Sequence, residues 1–218
     1  MSHGALWPYY LVVLIGMALT LASRQRGHRL GIWVFKPIAS GGFIALALAA
    51  GALDTGYGQA VLVALCLCFV GDVLLIPKAR AIFLAGLISF LLGHVGYLVA
   101  FWVRGFRPSA VGIALLVLVP VALLVGHWLY PHVSRRMRVP VFSYIVVITL
   151  MVAAAAGVMV ASARPIILVG ALSFFLSDIS VARERFVEES FINRLWGLPL
   201  YYGGQVLLAL SVAGPVTA

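Results

Sequence analysis

Eight apolar runs of roughly twenty residues, separated by short stretches that hold nearly all the charge, dominate this 218-residue sequence. That length matches the ~20 residues a helix needs to cross the hydrocarbon core of a bilayer. The runs extend from Ala5 to Ala22, Ile32 to Gly51, Gly58 to Ile76, Ala81 to Val103, Ala110 to Leu129, Val139 to Ala161, Pro165 to Val181 and Leu195 to Ala213. Together they leave no room for a sizeable soluble domain, so a single integral membrane domain over 1–218 is expected. Charged residues make up only 10% of the chain, against about 25% in soluble domains. Backbone inside lipid must satisfy its own hydrogen bonds, and the alternating ten-residue segments of an outer-membrane barrel are missing. The expected fold is therefore all-α: a polytopic transmembrane helical bundle of eight spans.

The net charge of +9 does not mark a nucleic-acid binder, because the 15 Lys and Arg are scattered and form no dense stripe. Their distribution is topological. Connections after odd-numbered spans hold eleven of them: Arg24, Arg26, Arg29, Lys78, Arg80, Arg135, Arg136, Arg138, Arg183, Arg185 and Arg194. The other side has only Arg104, Arg107 and Arg164, and Lys36 falls inside the second span. The positive-inside rule then places the odd connections in the cytoplasm and both termini outside it. Separately, the expected location is a bacterial inner membrane. The first run lacks a positive leading region and is followed by arginines, the reverse of a cleavable signal peptide, so it is expected to remain as a span. Cys66 and Cys68 stand about 200° apart on a helix and form neither a disulfide nor a CxxC site.

Asp72 and Asp178 are the only acids inside spans, each about one turn from the cytoplasmic end of its helix. An acid within a span costs at least ~2.5 kcal/mol, so two at matching depth require a reason. Lys36, Asn193, Tyr201, Tyr202 and Gln205 share that half of the membrane, as do His127 and Tyr144, while His94 and Tyr97 lie nearer mid-depth. Such a layer predicts a polar cavity open to the inner leaflet. FVGDVLL around Asp72 and FFLSDIS around Asp178 also form a faint repeat, each on the third helix of a half, implying a parallel 4+4 duplication.

Each group has a simpler reading beside the catalytic one. Asp72 could serve only in a salt bridge to Lys36, and Lys36, beside Pro37, could snorkel to the interface. His94 could be a packing residue, and the glycines of SGGF at Ser40 and YYGGQ at Tyr201 could mark close helix contact. Two carboxyls sharing a dry cavity, by contrast, can divide the work of acid and base. A small proton-coupled membrane transporter would use paired acids equally well. A zinc hydrolase needs about three His ligands inside the bundle, where only His94 and His127 stand.

With these residues identified, the sequence resembles the YhhN family of membrane proteins. The resemblance rests on KPIAS from Lys36, FVGDVLLIP from Phe69, FLLGHVGYLVAF from Phe90, GALSFFLSDISVARERF from Gly170 and LPLYYGGQVLLALS from Leu198. It implies lysoplasmalogenase activity: hydrolysis of the vinyl ether of a lysoplasmalogen to a fatty aldehyde and glycerophosphocholine or glycerophosphoethanolamine. Asp72 and Asp178 are then the expected catalytic pair. Lys36, His94, Tyr97, Asn193, Tyr201, Tyr202 and Gln205 are the expected substrate-binding groups. The substrate is a lysophospholipid drawn from membrane lipid, with no metal or cofactor required and no nucleic acid or protein partner implied.

The charge split generates a direct test of orientation. A phosphatase fused after Ala218 should be active and a fluorescent protein at the same position dark; the opposite pair of results would invert the topology.

Overall fold

The structure is a computed structural model that describes residues 6–77 and 79–213. Lys78 and the outermost residues of both termini, on which part of the topological reading falls, lie outside the described residues. Eight helices follow in order: α1 (Trp7–Gln25), α2 (Arg29–Ala49), α3 (Gly56–Leu74), α4 (Arg80–Arg104), α5 (Pro108–Leu129), α6 (Arg135–Ser162), α7 (Pro165–Ala182) and α8 (Phe191–Leu210). One π-helical turn, Arg183–Val187, extends α7. No strand occurs among the described residues.

Local chemistry sets the ends. Proline stands in the first turn of α1, α5 and α7, where its missing N–H costs nothing. The Thr55 hydroxyl caps α3 and the Ser190 hydroxyl caps α8. Gly27 and Gly51 take positive φ after α1 and α2, and the next residue's N–H returns to the helix, His28 to Ser23 O at 2.8 Å and Ala52 to Ala47 O at 3.0 Å. These tight reversals fold α1 onto α2 and α2 onto α3.

Among the described residues, seven helices are long and apolar enough to cross a membrane, making this an integral membrane protein. α8 is the exception among the eight expected spans. Its Asn193, Tyr201, Tyr202 and Gln205 lower its hydropathy, and the bundle accommodates these polar side chains by burying them. The expected boundaries are otherwise close. α2 and α6 begin earlier, at Arg29 and Arg135, because long cationic side chains can complete a first turn while their heads reach water. α8 starts at Phe191 rather than Leu195 because Ser190 supplies the cap. α5 buries little, with Leu116 78% and Leu124 70% exposed, and presents its side chains to lipid.

The helix packing repeats between the first four helices and the last four. α2 packs against α3 and α8, and its counterpart α6 packs against α7 and α4. In each half the third and fourth helices form a close hairpin, α3 with α4 and α7 with α8.

The paired glycines divide into two kinds. A Cβ on Gly204 would fall 2.9 Å from the Gly170 carbonyl oxygen, whereas one on Gly203 would meet open space; Gly42 and Gly41 differ in the same way. Gly204→Ala should therefore destabilise the fold by about 1–3 kcal/mol through overpacking. Gly203→Ala should leave it unchanged or raise it by up to about 1 kcal/mol through helix propensity. Thermal unfolding in detergent reads both, and equal melting of the two variants would refute the close α7–α8 crossing.

Candidate active site

Asp72 ends a line of apolar residues on α3 and is 2% exposed. Lys36 Nζ lies 3.0 Å from its Oδ1 and donates to the Asp72 backbone carbonyl at 2.8 Å. Ser40 and Tyr201 hydroxyls donate to Oδ2 at 2.7 and 2.6 Å. Ser40 stands one turn beyond Lys36 on α2, which brings both to one helix face. Tyr202, turned away from the carboxylate, donates to the Lys36 carbonyl at 3.3 Å and lies 3.2 Å from the Ser40 hydroxyl. Lys36 is 6% exposed, so its side chain points into the bundle instead of snorkelling.

Asp178, on α7, has a different shell. The Tyr144 hydroxyl of α6 donates to Oδ2 at 2.8 Å. His94 Nε2 of α4 is 3.5 Å from the same oxygen, within ion-pair range but not aligned as a hydrogen bond. The His94 ring is fully buried, with its centroid 4.4 Å from that of Phe174 and 5.0 Å from that of Tyr144. Its Nδ1 meets the Phe90 carbonyl at 2.7 Å. The two shells repeat the crossed packing of the halves: each acid is held by the second helix of its own half and the fourth helix of the other. Ser40 precedes Asp72 by 32 residues and Tyr144 precedes Asp178 by 34.

Both carboxyls line one cavity of about 120 Å³, shared with Lys36, Tyr144, Tyr201, Ser177 and Ser180. The remaining wall is apolar and includes Leu75, Leu87, Phe90, Ile145, Phe175 and Leu198. The cavity reaches the arginine-rich end of the bundle, where Phe83 and Phe186 meet edge to face and the Arg185 guanidinium lies 4.2 Å from the Phe83 ring centre. It has room for a few waters or a slender chain.

Of the residues expected to bind substrate, Lys36 and Tyr201 line this cavity and His94 reaches it through Asp178. The others make contacts of their own. The Tyr97 hydroxyl donates to Gln205 Oε1 at 2.6 Å, both residues being fully buried. Asn193 donates to Glu184 at 3.1 Å and to the Glu188 carbonyl at 2.8 Å, while the Ser180 hydroxyl donates to the Asn193 carbonyl at 2.6 Å, tying the π-turn to α8. Ser40 was visible in the sequence only as part of KPIAS, although its spacing from Lys36 places the two on one face. Glu184 and Arg194, which lie between the seventh and eighth expected spans, form an ion pair beside Asn193. Arg24 is half-buried near them, its Nε enclosed without a partner.

The chain matches the YhhN family over residues 31–212. It is also 30% identical over 148 residues to lysoplasmalogenase TMEM86A of Bos taurus, an alignment covering 65% of this chain. That alignment spans 60% of the bovine protein's length. No solved structure matches. The family match runs unbroken from the helix that carries Lys36 to the one that carries Tyr201, and on that extent this chain belongs to the YhhN family.

Proposed function

We propose that this protein is a lysoplasmalogenase, cleaving the vinyl ether of a lysoplasmalogen to a fatty aldehyde and glycerophosphocholine or glycerophosphoethanolamine. The observation that carries this reading is the placement of two carboxyls in unlike surroundings on one apolar-walled cavity, in a chain related to a lysoplasmalogenase. A vinyl ether hydrolyses by protonation of its outer alkene carbon, which leaves an oxocarbenium ion. Water captures that ion, and the hemiacetal collapses to aldehyde and alcohol. One carboxyl donates the proton while the other, ionised, stabilises the cation and orients water.

The surroundings fit a single-chain lipid. Apolar side chains accommodate the alkenyl chain, and Lys36, with Arg24 in electrostatic reach behind it, supplies positive charge for the head-group phosphate. The site then faces the cytoplasmic half of the membrane. A carrier would need a path to the opposite face. There the Tyr57 and Ser211 hydroxyls meet at 2.5 Å, Arg104 lies 4.6 Å from the Tyr57 ring centre, and Arg164 donates to the Ser211 carbonyl at 3.1 Å, contacts that tie the helix ends together on that side.

Detergent-purified protein incubated with lysoplasmalogen should release aldehyde. Asp72→Asn or Asp178→Asn should lower that release at least about a hundredfold, as loss of general acid or base catalysis does. The double substitution should cost little more, because groups acting as one unit are not additive. Glu188→Gln is the matched control: its side chain is 63% exposed and pairs with Arg183, so its activity should stay near wild type. Asp178, whose contacts are not a buried ion pair, gives the cleaner variant for folding. Full activity in both monodisperse Asn variants would overturn the carboxylate mechanism. Asp-dependent proton or solute movement in vesicles, with no aldehyde released, would install the carrier instead.

A further inference from the structure

The hydrogen-bond inventory of His94 distinguishes the two acids. Its Nδ1 lies 2.7 Å from the Phe90 carbonyl oxygen, which can only accept, so Nδ1 carries a hydrogen. A neutral ring of that tautomer leaves Nε2 a bare acceptor 3.5 Å from Asp178 Oδ2, in a place where Nε2 is sealed from solvent and a small rotation of either side chain closes the contact. If Asp178 were ionised opposite a neutral ring, two acceptors would confront each other out of water. If the ring were protonated and Asp178 also protonated, two donors would. The contact is satisfied when the pair holds one proton.

Asp72 is filled differently. Lys36, Ser40 and Tyr201 all donate to its carboxylate, and a carboxylate accepting from an ammonium and two hydroxyls is the ionised form. The other polar group facing Asp178 is Tyr144, which donates to Oδ2 and leaves the shared proton in place, while Lys36 and Asp72 border the same cavity.

We propose that His94 and Asp178 hold a single proton between them, that Asp178 delivers it to the outer alkene carbon of the substrate, and that His94 is the positioning residue that stores it. The assignment rests on the vinyl ether reading given above. In the first step the alkene π pair forms the new C–H bond. The positive charge settles on the carbon next to oxygen, and the pair becomes a carboxylate beside a neutral imidazole. Water then adds to that carbon and gives its proton back to the emptied pair. Collapse of the hemiacetal breaks the carbon–oxygen bond, its hydroxyl hydrogen passes to the departing glycerol oxygen, and the aldehyde is released. Asp72 remains ionised throughout and stabilises the cation.

Two measurements test this, one independent of turnover. In protein labelled with ¹⁵N-histidine, the His94 signals are identified by difference from His94→Gln. At neutral pH Nδ1 should be protonated, and Nε2 should resonate away from the position of a free ring nitrogen. In Asp178→Leu, which offers no proton, Nε2 should move to that free position while Nδ1 does not move. An Nε2 signal identical in the two proteins overturns the shared proton, whatever the activity.

In the kinetic test, His94→Gln should lower kcat roughly tenfold, less than the 10²–10⁴ of a whole general acid, with KM within about twofold. It should lower it no further in an Asp178→Asn background. Additive losses in the two backgrounds would make His94 structural and overturn its role. A wild-type protein that shares the proton but releases no aldehyde would defeat the vinyl ether reading and leave the proton assignment standing.

Discussion

Lys36 and Asp72 face each other inside the bundle, both buried, and much of the architecture follows from that pairing. Bringing each ion out of water costs several kcal/mol, which the mutual attraction repays only when every remaining donor and acceptor is also met. Two hydroxyls on two other helices meet them here, Ser40 on α2 and Tyr201 on α8. The ion pair therefore fixes the rotation and depth of α2, α3 and α8 together, and it joins the last helix of the chain to the first half. Close approach is needed for hydroxyls to reach a carboxylate at 2.6 to 2.7 Å, and α8 is also held tightly to α7, where Gly204 leaves no room for a Cβ against the Gly170 carbonyl.

The second acid shows what the same residue type does without a cation. Asp178 stands at the corresponding place of the second half, but its neighbours from α6 and α4 are a phenol and an imidazole. The two halves place a carboxyl at corresponding positions, and the side chains of the flanking helices make the two chemically unequal. An acid and a base arise in this way from identical side chains when their environments push their protonation apart. The crossed arrangement also keeps the halves from drifting, since each acid is held from both.

Depth was legible in the sequence, whereas azimuth was not. The apolar runs located all eight helices to within a few residues, because length and hydropathy depend only on the chain itself. The acids announced themselves because a carboxyl within a span is expensive wherever it points. Which neighbour would reach them depends on how each helix is rotated, and packing decides that. Tyr201 and Tyr202 are adjacent, about 100° apart on the helix, so one reaches Asp72 and the other the backbone of Lys36. Tyr97, Gln205 and Asn193 were expected to bind substrate, yet their hydrogen bonds close within the protein. Arg194 and Glu184 looked like loop charges because a connection's fold onto a helix end leaves no periodic trace.

A bundle selected only for stability would replace such a centre with hydrocarbon, since apolar side chains of similar volume often stabilise a core as well as a buried ion pair or better. The apolar wall around Leu75, Phe90 and Phe175 shows that this interior can pack that way. Polar burial is instead concentrated where two carboxyls, a lysine, two tyrosines and an imidazole converge. Violations of local packing preference collect at functional sites in natural proteins. The low dielectric that makes this centre costly also makes its charges effective, because an ionised carboxylate with little water around it acts strongly on a positive charge forming a few ångströms away. A site of this kind gains its chemistry from the same desolvation that opposes its folding. That explains why the acids sit beneath an apolar vestibule instead of at the arginine-rich surface, where water would screen them.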